Sequence, residues 1–292
     1  MAAITTVLDL LTIIASGFGT LVLVALGLAI IFGMMGIINL AHGEFIMLGA
    51  YATALSYHQG IPLILAILMG GLATGVFGVI VERLVIQHLY DRTIDSMVAT
   101  WGLSLVMTQS VLLIFGPTLD SIGTPFGSVT YGAYSASIYQ WVLAGAAVVL
   151  LAAVYLIFNY TEYGLHAKAT IEDQETARSL GIDTRRIYMI TFFIGSVLAG
   201  IAGGLFAPTI ALVPSLGGSY IIEAFVTVIV GGASILIGVP ASGLSLTIIN
   251  GAASQVGGTL AGRVALLVVA MIIIRLLPEG ISEYLTARLG GE

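Results

Sequence analysis

The chain has 292 residues, of which 59% are hydrophobic and 8% charged, and its mean hydropathy is +1.11. Soluble domains carry about a quarter charged residues, so a water-soluble globule is excluded, and at roughly 20 residues per crossing the apolar content fits about eight or nine membrane helices. The net charge of −6, with no run of Lys or Arg, argues against nucleic acid as a partner, and the absence of cysteine removes disulfides, thiolate metal sites and cysteine nucleophiles.

Residues Met1 to Asp9 contain no Lys or Arg, unlike the basic start of a secretory signal, so the first apolar segment, about 8–32, is expected to be retained. It runs into Gly33-Met-Met-Gly36-Ile-Ile-Asn39-Leu-Ala-His42-Gly43-Glu44, where glycines and three polar side chains break an apolar run. Broken backbone and a carboxylate are tolerated at membrane depth only beside protein or water. Asn39, His42 and Glu44 are therefore candidates for a solute path; their alternative is solvation or capping at a helix end. The apolar stretch at about 43–57 is too short to cross alone.

Further apolar segments follow at about 61–81 and 97–115. In the second, Thr100, Ser104 and Thr108 recur every four residues on one face, where they either line a path or bond neighbouring helices. The connection Gly116 to Ile138 has prolines, glycines and tyrosines but no Lys or Arg, and its Tyr131, Tyr134 and nearby Tyr139 read as interfacial anchors. After a segment at about 139–158, the polar loop 160–188 reads as carrying one short helix over 170–181. In it Thr170 is the N-cap, Glu172 and Asp173 favour the positive end, Arg178 favours the negative end and Gly181 is the left-handed stop. Such a capped helix suits a docking partner better than a plain connector. Asp183 is expected to cap the next membrane helix.

The last apolar segments lie at about 187–213, 221–237, 239–257 and 263–277. A second interruption, Gly231-Gly232-Ala-Ser234 through Pro240 to Gly243, divides them, and paired breaks in the two halves suggest an inverted repeat with Gly231, Gly232 and Ser234 near the path. Thr247, Asn250 and Ser254 form a second polar stripe. The glycine pairs Gly71/Gly75, Gly200/Gly204 and Gly258/Gly262 predict close helix crossings. Glu223 reads as a solvated start-of-helix carboxylate, and Arg263 has no acidic neighbour in the sequence.

Arg83 and Arg92, then Lys168, Arg178, Arg185 and Arg186, then Arg275 and Arg288 account for eight of the nine Lys and Arg. The positive-inside rule puts these connections in the cytoplasm, with the N-terminus outside and the C-terminus inside. No G-x-x-x-x-G-K-[ST] occurs, the four histidines match no zinc spacing, and no Ser/His/Asp constellation is present. No catalytic or metal site is expected. The reading is an all-α polytopic membrane protein, one transmembrane domain over 1–292, with two broken segments.

The residues Gly36-Ile-Ile-Asn39-Leu-Ala-His42-Gly43-Glu44, then Met47-Leu-Gly49-Ala-Tyr51, resemble the hallmark of the branched-chain amino acid permease family of ABC importers, which has urea and short-amide relatives. Ala99-Thr100-Trp101-Gly102-Leu103-Ser104, the stretch Ala177 to Arg186 and Ser196 to Gly203 agree. The resemblance implies a bacterial inner-membrane permease subunit forming half of a path for a small polar solute, without its own ATPase site and without a bound cofactor. It implies a homologous second permease or a second copy, two cytoplasmic ATPases that hydrolyse ATP, and an extracytoplasmic binding protein. The 170–181 helix, with Thr170, Glu172, Asp173, Arg178 and Gly181, would then be the ATPase coupling helix, and Asn39, His42, Glu44, Thr100, Ser104, Gly231, Gly232 and Ser234 the path. A passive channel and an ion-coupled secondary transporter are the rival readings.

Overall fold

A computed structural model describes residues 2–90, 92–131, 134–232 and 234–289. The apolar segments fold as helices: α1 (Ala2–Met35), α2 (His42–His58), α3 (Leu63–Leu84), α4 (Thr93–Phe115), α5 (Ile138–Tyr160), α8 (Thr184–Phe206), α9 (Leu216–Gly231) and α10 (Ile235–Leu276). The loop between α5 and α8 holds two short helices, α6 (Glu162–Glu172) and α7 (Gln174–Ser179), and α11 (Ile281–Leu289) follows α10. Among the described residues six helices are long and apolar enough to cross a membrane, with α2 and α9 shorter.

Helix α10 is not one rod. Gly258 has φ +77°, a left-handed value open to glycine, and a Cβ on Gly262 would lie 2.8 Å from the Asn250 carbonyl oxygen. Twelve residues of straight helix span about 18 Å, so the chain doubles back at Gly258 into arms 235–257 and 259–276. This brings the apolar segments among the described residues to nine, within the expected eight or nine. Gly258 is thus a turn, while Gly262 packs on Asn250 and Ser254.

Contacts group the chain into two compact units. In the unit of residues 26–123 and 152–222, α2 packs against α3 and α8. The approach is close because Gly49 abuts the backbone of Gly200, and a Cβ on Gly203 would fall 2.9 Å from the Ala50 amide nitrogen and overlap the Ile46 carbonyl oxygen. Gly71 and Gly75 meet Ile201 and Val197 of α8, as the glycine pairs predict. Met47, Tyr51, Met107, Leu212 and Leu216 form a core there.

The unit of residues 1–25, 124–151 and 223–292 has its own core of Leu21, Val230, Leu246, Leu266 and Ala270. The connection before α5 folds as an antiparallel ribbon, β1 (Ser128–Tyr131) with β2 (Tyr134–Ser137). Tyr139 is buried rather than interfacial. On α4 and α5 large apolar side chains face outward, Trp101, Leu113 and Val149 among them, as lipid contact requires.

Candidate functional site

The first break begins where α1 ends. Gly36 takes φ +63°, the chain runs without helix to Asn39, and α2 starts at His42. The Asn39 side-chain oxygen accepts from the Ala41 amide at 3.1 Å. Thr100 of α4 holds the segment from the side: its hydroxyl oxygen accepts from the Leu40 amide at 3.0 Å and donates to the Ser96 carbonyl at 2.6 Å, with the Ile38 carbonyl at 3.2 Å. Ser104, one turn on, lies within hydrogen-bonding reach of the Glu44 carboxylate. The stripe Thr100/Ser104 therefore ties a neighbouring break in place.

Asn39, His42 and Glu44 are all buried, so solvation at a helix end does not describe them. Glu44 lies in the first turn of α2, where a negative charge faces the positive end of the helix dipole. Asn39 Nδ2 and Glu44 Oε2 have no hydrogen-bond partner among the described residues.

The second break is built differently. Gly231 and Gly238 lie backbone to backbone, Gly232 takes φ +83° against Glu279 and Gly280, and the Ser282 hydroxyl accepts from the Ser234 amide at 3.3 Å. The Ser242 hydroxyl donates to the Thr227 carbonyl at 2.7 Å. Gly231, Gly232 and Ser234 thus join the α9–α10 turn to the start of α11.

Two cavities lie in the unit containing α10. A cavity of about 620 Å³ is lined by Thr12, Ser16, Gln140, Glu223, Thr247, Asn250 and Ser254, among others, and a second of about 490 Å³ by Glu223, Asn250, Ser254 and Arg263. Both volumes fall in the roughly 300–1,000 Å³ range of small-molecule pockets. The stripe Thr247/Asn250/Ser254 lines the first cavity, with the Thr247 hydroxyl lacking a partner among the described residues. Two expectations are corrected here. Glu223 lies mid-helix in α9 and faces the cavity, not solvent at a helix start, and Arg263 has an acidic neighbour, Glu223, brought to it by the turn at Gly258. Sequence spacing hides this pairing, since 40 residues separate the two.

The loop after α5 also differs from its prediction. It holds two helices, so Thr170 is no cap: it lies inside α6 and its hydroxyl donates to the His166 carbonyl at 2.8 Å. Thr161 caps α6, and Asp173 caps α7 by accepting from the amides of Glu175 and Thr176 at 2.9 and 3.0 Å. Thr170 is disqualified because its backbone is already helical, and the extended residue at 173 supplies the cap instead. The Thr176 amide and hydroxyl hold the Asp173 carboxyl below its ordinary range. Gly181, with φ +87°, stops α7 as expected, and the Asp183 carboxylate caps α8 by accepting from the Arg186 amide at 3.1 Å. Arg178 donates from Nε to the Thr184 hydroxyl at 2.9 Å. Tyr163 bonds Thr191 of α8 at 2.8 Å, and burial pushes its phenol up to about 12. Glu172, Ile171 and Leu180 are exposed, Leu180 by 76%.

Across residues 10–277 the sequence matches the family model described as branched-chain amino acid transport system / permease component. The chain belongs to this family. It is 27% identical over 286 residues to the high-affinity branched-chain amino acid transport system permease protein LivH of Escherichia coli K12, covering 90% of this chain and 91% of that protein. A probable branched-chain amino acid transport permease protein LivH of Methanocaldococcus jannaschii is 27% identical, covering 90% and 88%. The autoinducer 2 import system permease protein LsrC of Yersinia enterocolitica is 28% identical over 235 residues, covering 78% and 62%. No solved structure matches the chain. The protein is therefore a multi-pass membrane permease component of an ABC importer, as its apolar composition and helices require.

Proposed function

We propose that this permease forms half of the translocation path for small amino acids with apolar side chains, the branched-chain ones foremost, in the bacterial cytoplasmic membrane. The observation that carries the reading is the polar cavity of about 620 Å³ inside so apolar a chain. Hydroxyls, amides and a carboxylate there can replace the water of a small polar solute without enclosing it. The N-terminus lies outside and the C-terminus in the cytoplasm. That orientation puts the cavity at the outer half of the membrane, where a binding protein would deliver solute.

Two cytoplasmic ATPases supply the energy, a homologous second permease or a second copy completes the pore, and this chain binds no cofactor. The coupling surface is the α6–α7 loop, with Glu172, Asp173, Arg178 and Gly181 shaping it. Asp183 and the Arg178–Thr184 bond fasten α7 to the start of α8, and α8 packs on α2 and α3 through glycines that leave no slack. Pressure on α7 therefore reaches the break at 36–44, whose unpartnered Asn39 and Glu44 atoms hold polar capacity for a rearranged state of alternating access.

The test is leucine uptake by proteoliposomes holding both permeases, the ATPases and the binding protein, for the wild type and for Leu180→Asp. Wild-type uptake that needs ATP, and loss of ATPase recovery with Leu180→Asp at unchanged permease yield, are the expected results. Uptake without ATPases removes the importer mechanism for this chain, and full ATPase recovery by Leu180→Asp removes the docking surface.

A further inference from the structure

Glu223 and Arg263 carry opposite charges into one polar space. Arg263 acts electrostatically on the Glu223 carboxylate, yet among the described residues the salt bridge within 4 Å is Arg92 with Asp95. The two groups therefore face the same cavity without closing on each other. Asn250 and Ser254 line the same cavity, the Ser254 hydroxyl bonding the Asn250 side-chain oxygen at 3.1 Å, on the arm of α10 that precedes the turn at Gly258. Arg263 sits on the arm that follows it. Glu223 is half-buried and Arg263 exposed, so each charge is open to a partner in the cavity, and a charge at each end of a polar gap selects a solute with the complementary charge at each of its own ends.

We propose that Glu223 and Arg263 form a two-ended subsite for a zwitterion, Glu223 taking the ammonium end and Arg263 the carboxylate end, with Asn250 and Ser254 on the polar wall of the same cavity. This rests on the amino acid reading given above and adds to it the residues that discriminate the solute's headgroup. Guanidinium suits carboxylate because its planar fork can donate two parallel hydrogen bonds. The side chain of the solute is left toward the larger cavity, which shares Glu223, Asn250 and Ser254 with this one and where Ile13 and Leu21 contribute apolar wall. The turn at Gly258 is what makes the subsite: it returns Arg263 to within electrostatic range of Glu223, and straightening it would carry Arg263 away.

The experiment uses the complete transporter in lipid nanodiscs without the binding protein, so that the permease's own preference is read. Equilibrium binding of labelled leucine is competed with leucinamide, which lacks the carboxylate, and with isocaproate, which lacks the amine. The wild type is expected to prefer leucine over both. Arg263→Gln weakens leucine by roughly tenfold or more and abolishes its preference over leucinamide, while retaining preference over isocaproate. Glu223→Gln gives the reverse pattern. Arg263→Lys and Glu223→Asp restore part of each preference, which controls for misfolding, because a purely structural ion pair would shift both analogues alike. Equal effects on both analogues, or unchanged leucine affinity in both neutral variants, overturn the subsite. If the reconstituted wild type imports no leucine at all with ATP and binding protein, it is the amino acid reading that fails. Leucine import by the wild type together with unchanged variants leaves that reading standing and removes only the subsite.

Discussion

Replacing Thr100 by valine changes one hydroxyl to a methyl at nearly constant volume, in a side chain that is fully buried. The hydroxyl oxygen accepts from the Leu40 amide at 3.0 Å, in a stretch that has left the helix and has no backbone ladder to fall back on. Thr100→Val leaves that amide buried without its partner, which costs about 1–3 kcal/mol, or roughly 5- to 150-fold in the folding equilibrium. The carbonyls of Ser96 and Met97 lose little, since they lie within α4, where carbonyls are otherwise bonded along the helix. Thr100→Ser keeps the hydroxyl and drops a methyl, costing about 0.8 kcal/mol from lost burial. The assay is denaturant unfolding of the purified permease in detergent, followed by fluorescence of the tryptophans, with hydrogen exchange at 36–44 as the local readout. Valine is expected to be clearly worse than serine, with faster exchange at Leu40. A valine variant as stable as the wild type, or less affected than serine, refutes the claim that Thr100 holds the break.

The glycine contacts give an equally sharp contrast. Gly203→Ala drives a methyl into the Ile46 and Ala50 backbone and should cost about 1–3 kcal/mol, whereas Gly218→Ala, with nothing within 4 Å of its added methyl, should be neutral or stabilise α9 by about 0.5–1 kcal/mol; thermal unfolding monitored by size-exclusion recovery separates them, and equal losses contradict the packing. Tyr163 ties α6 to α8, and its phenol is raised from 10.0 to about 12. A raised value means the neutral form is favoured by folding, so the contribution is complete below about pH 10 and fades as pH rises through 12. Proteolysis of the 160–183 loop should therefore accelerate between pH 10 and 12 in the wild type, and Tyr163→Phe should lose that component; an unchanged pH profile in the variant contradicts it. For Asp173 the sign is opposite, because the Thr176 amide and hydroxyl hold the carboxyl down from 3.8. Capping of α7 is present above that pH and lost as pH falls below it, so Asp173→Ala should expose the amides of Glu175 and Thr176 to hydrogen exchange at neutral pH, and unchanged exchange there removes the cap.

The membrane class, the approximate crossings and both breaks were legible in sequence because each rests on a local pattern: apolar run length, a glycine where the helix stops, a polar group where lipid would exclude it. Gly181 and Asp183 were legible for the same reason. Thr170 misled because a threonine followed by acidic residues suits a cap only if its own backbone is extended, and α6 had already begun eight residues earlier. The role of the stripe at Thr100 and the charge pair Glu223/Arg263 were illegible because they depend on which helix lies alongside. A stripe that bonds a neighbouring break and a stripe that lines a cavity have the same spacing. The turn at Gly258 sits between two apolar arms and could be read as a boundary, but not as the device that sets Arg263 against Glu223.

The most direct test of the whole account is uptake of labelled leucine and labelled urea by proteoliposomes containing this permease, its partner permease, the ATPases and the binding protein, at fixed ATP with proton and sodium gradients collapsed. The account predicts leucine uptake that persists without gradients and stops when ATP is withdrawn, with no comparable uptake of urea. Leucine uptake that survives withdrawal of ATP, or that vanishes with the gradient while ATP is present, would contradict it.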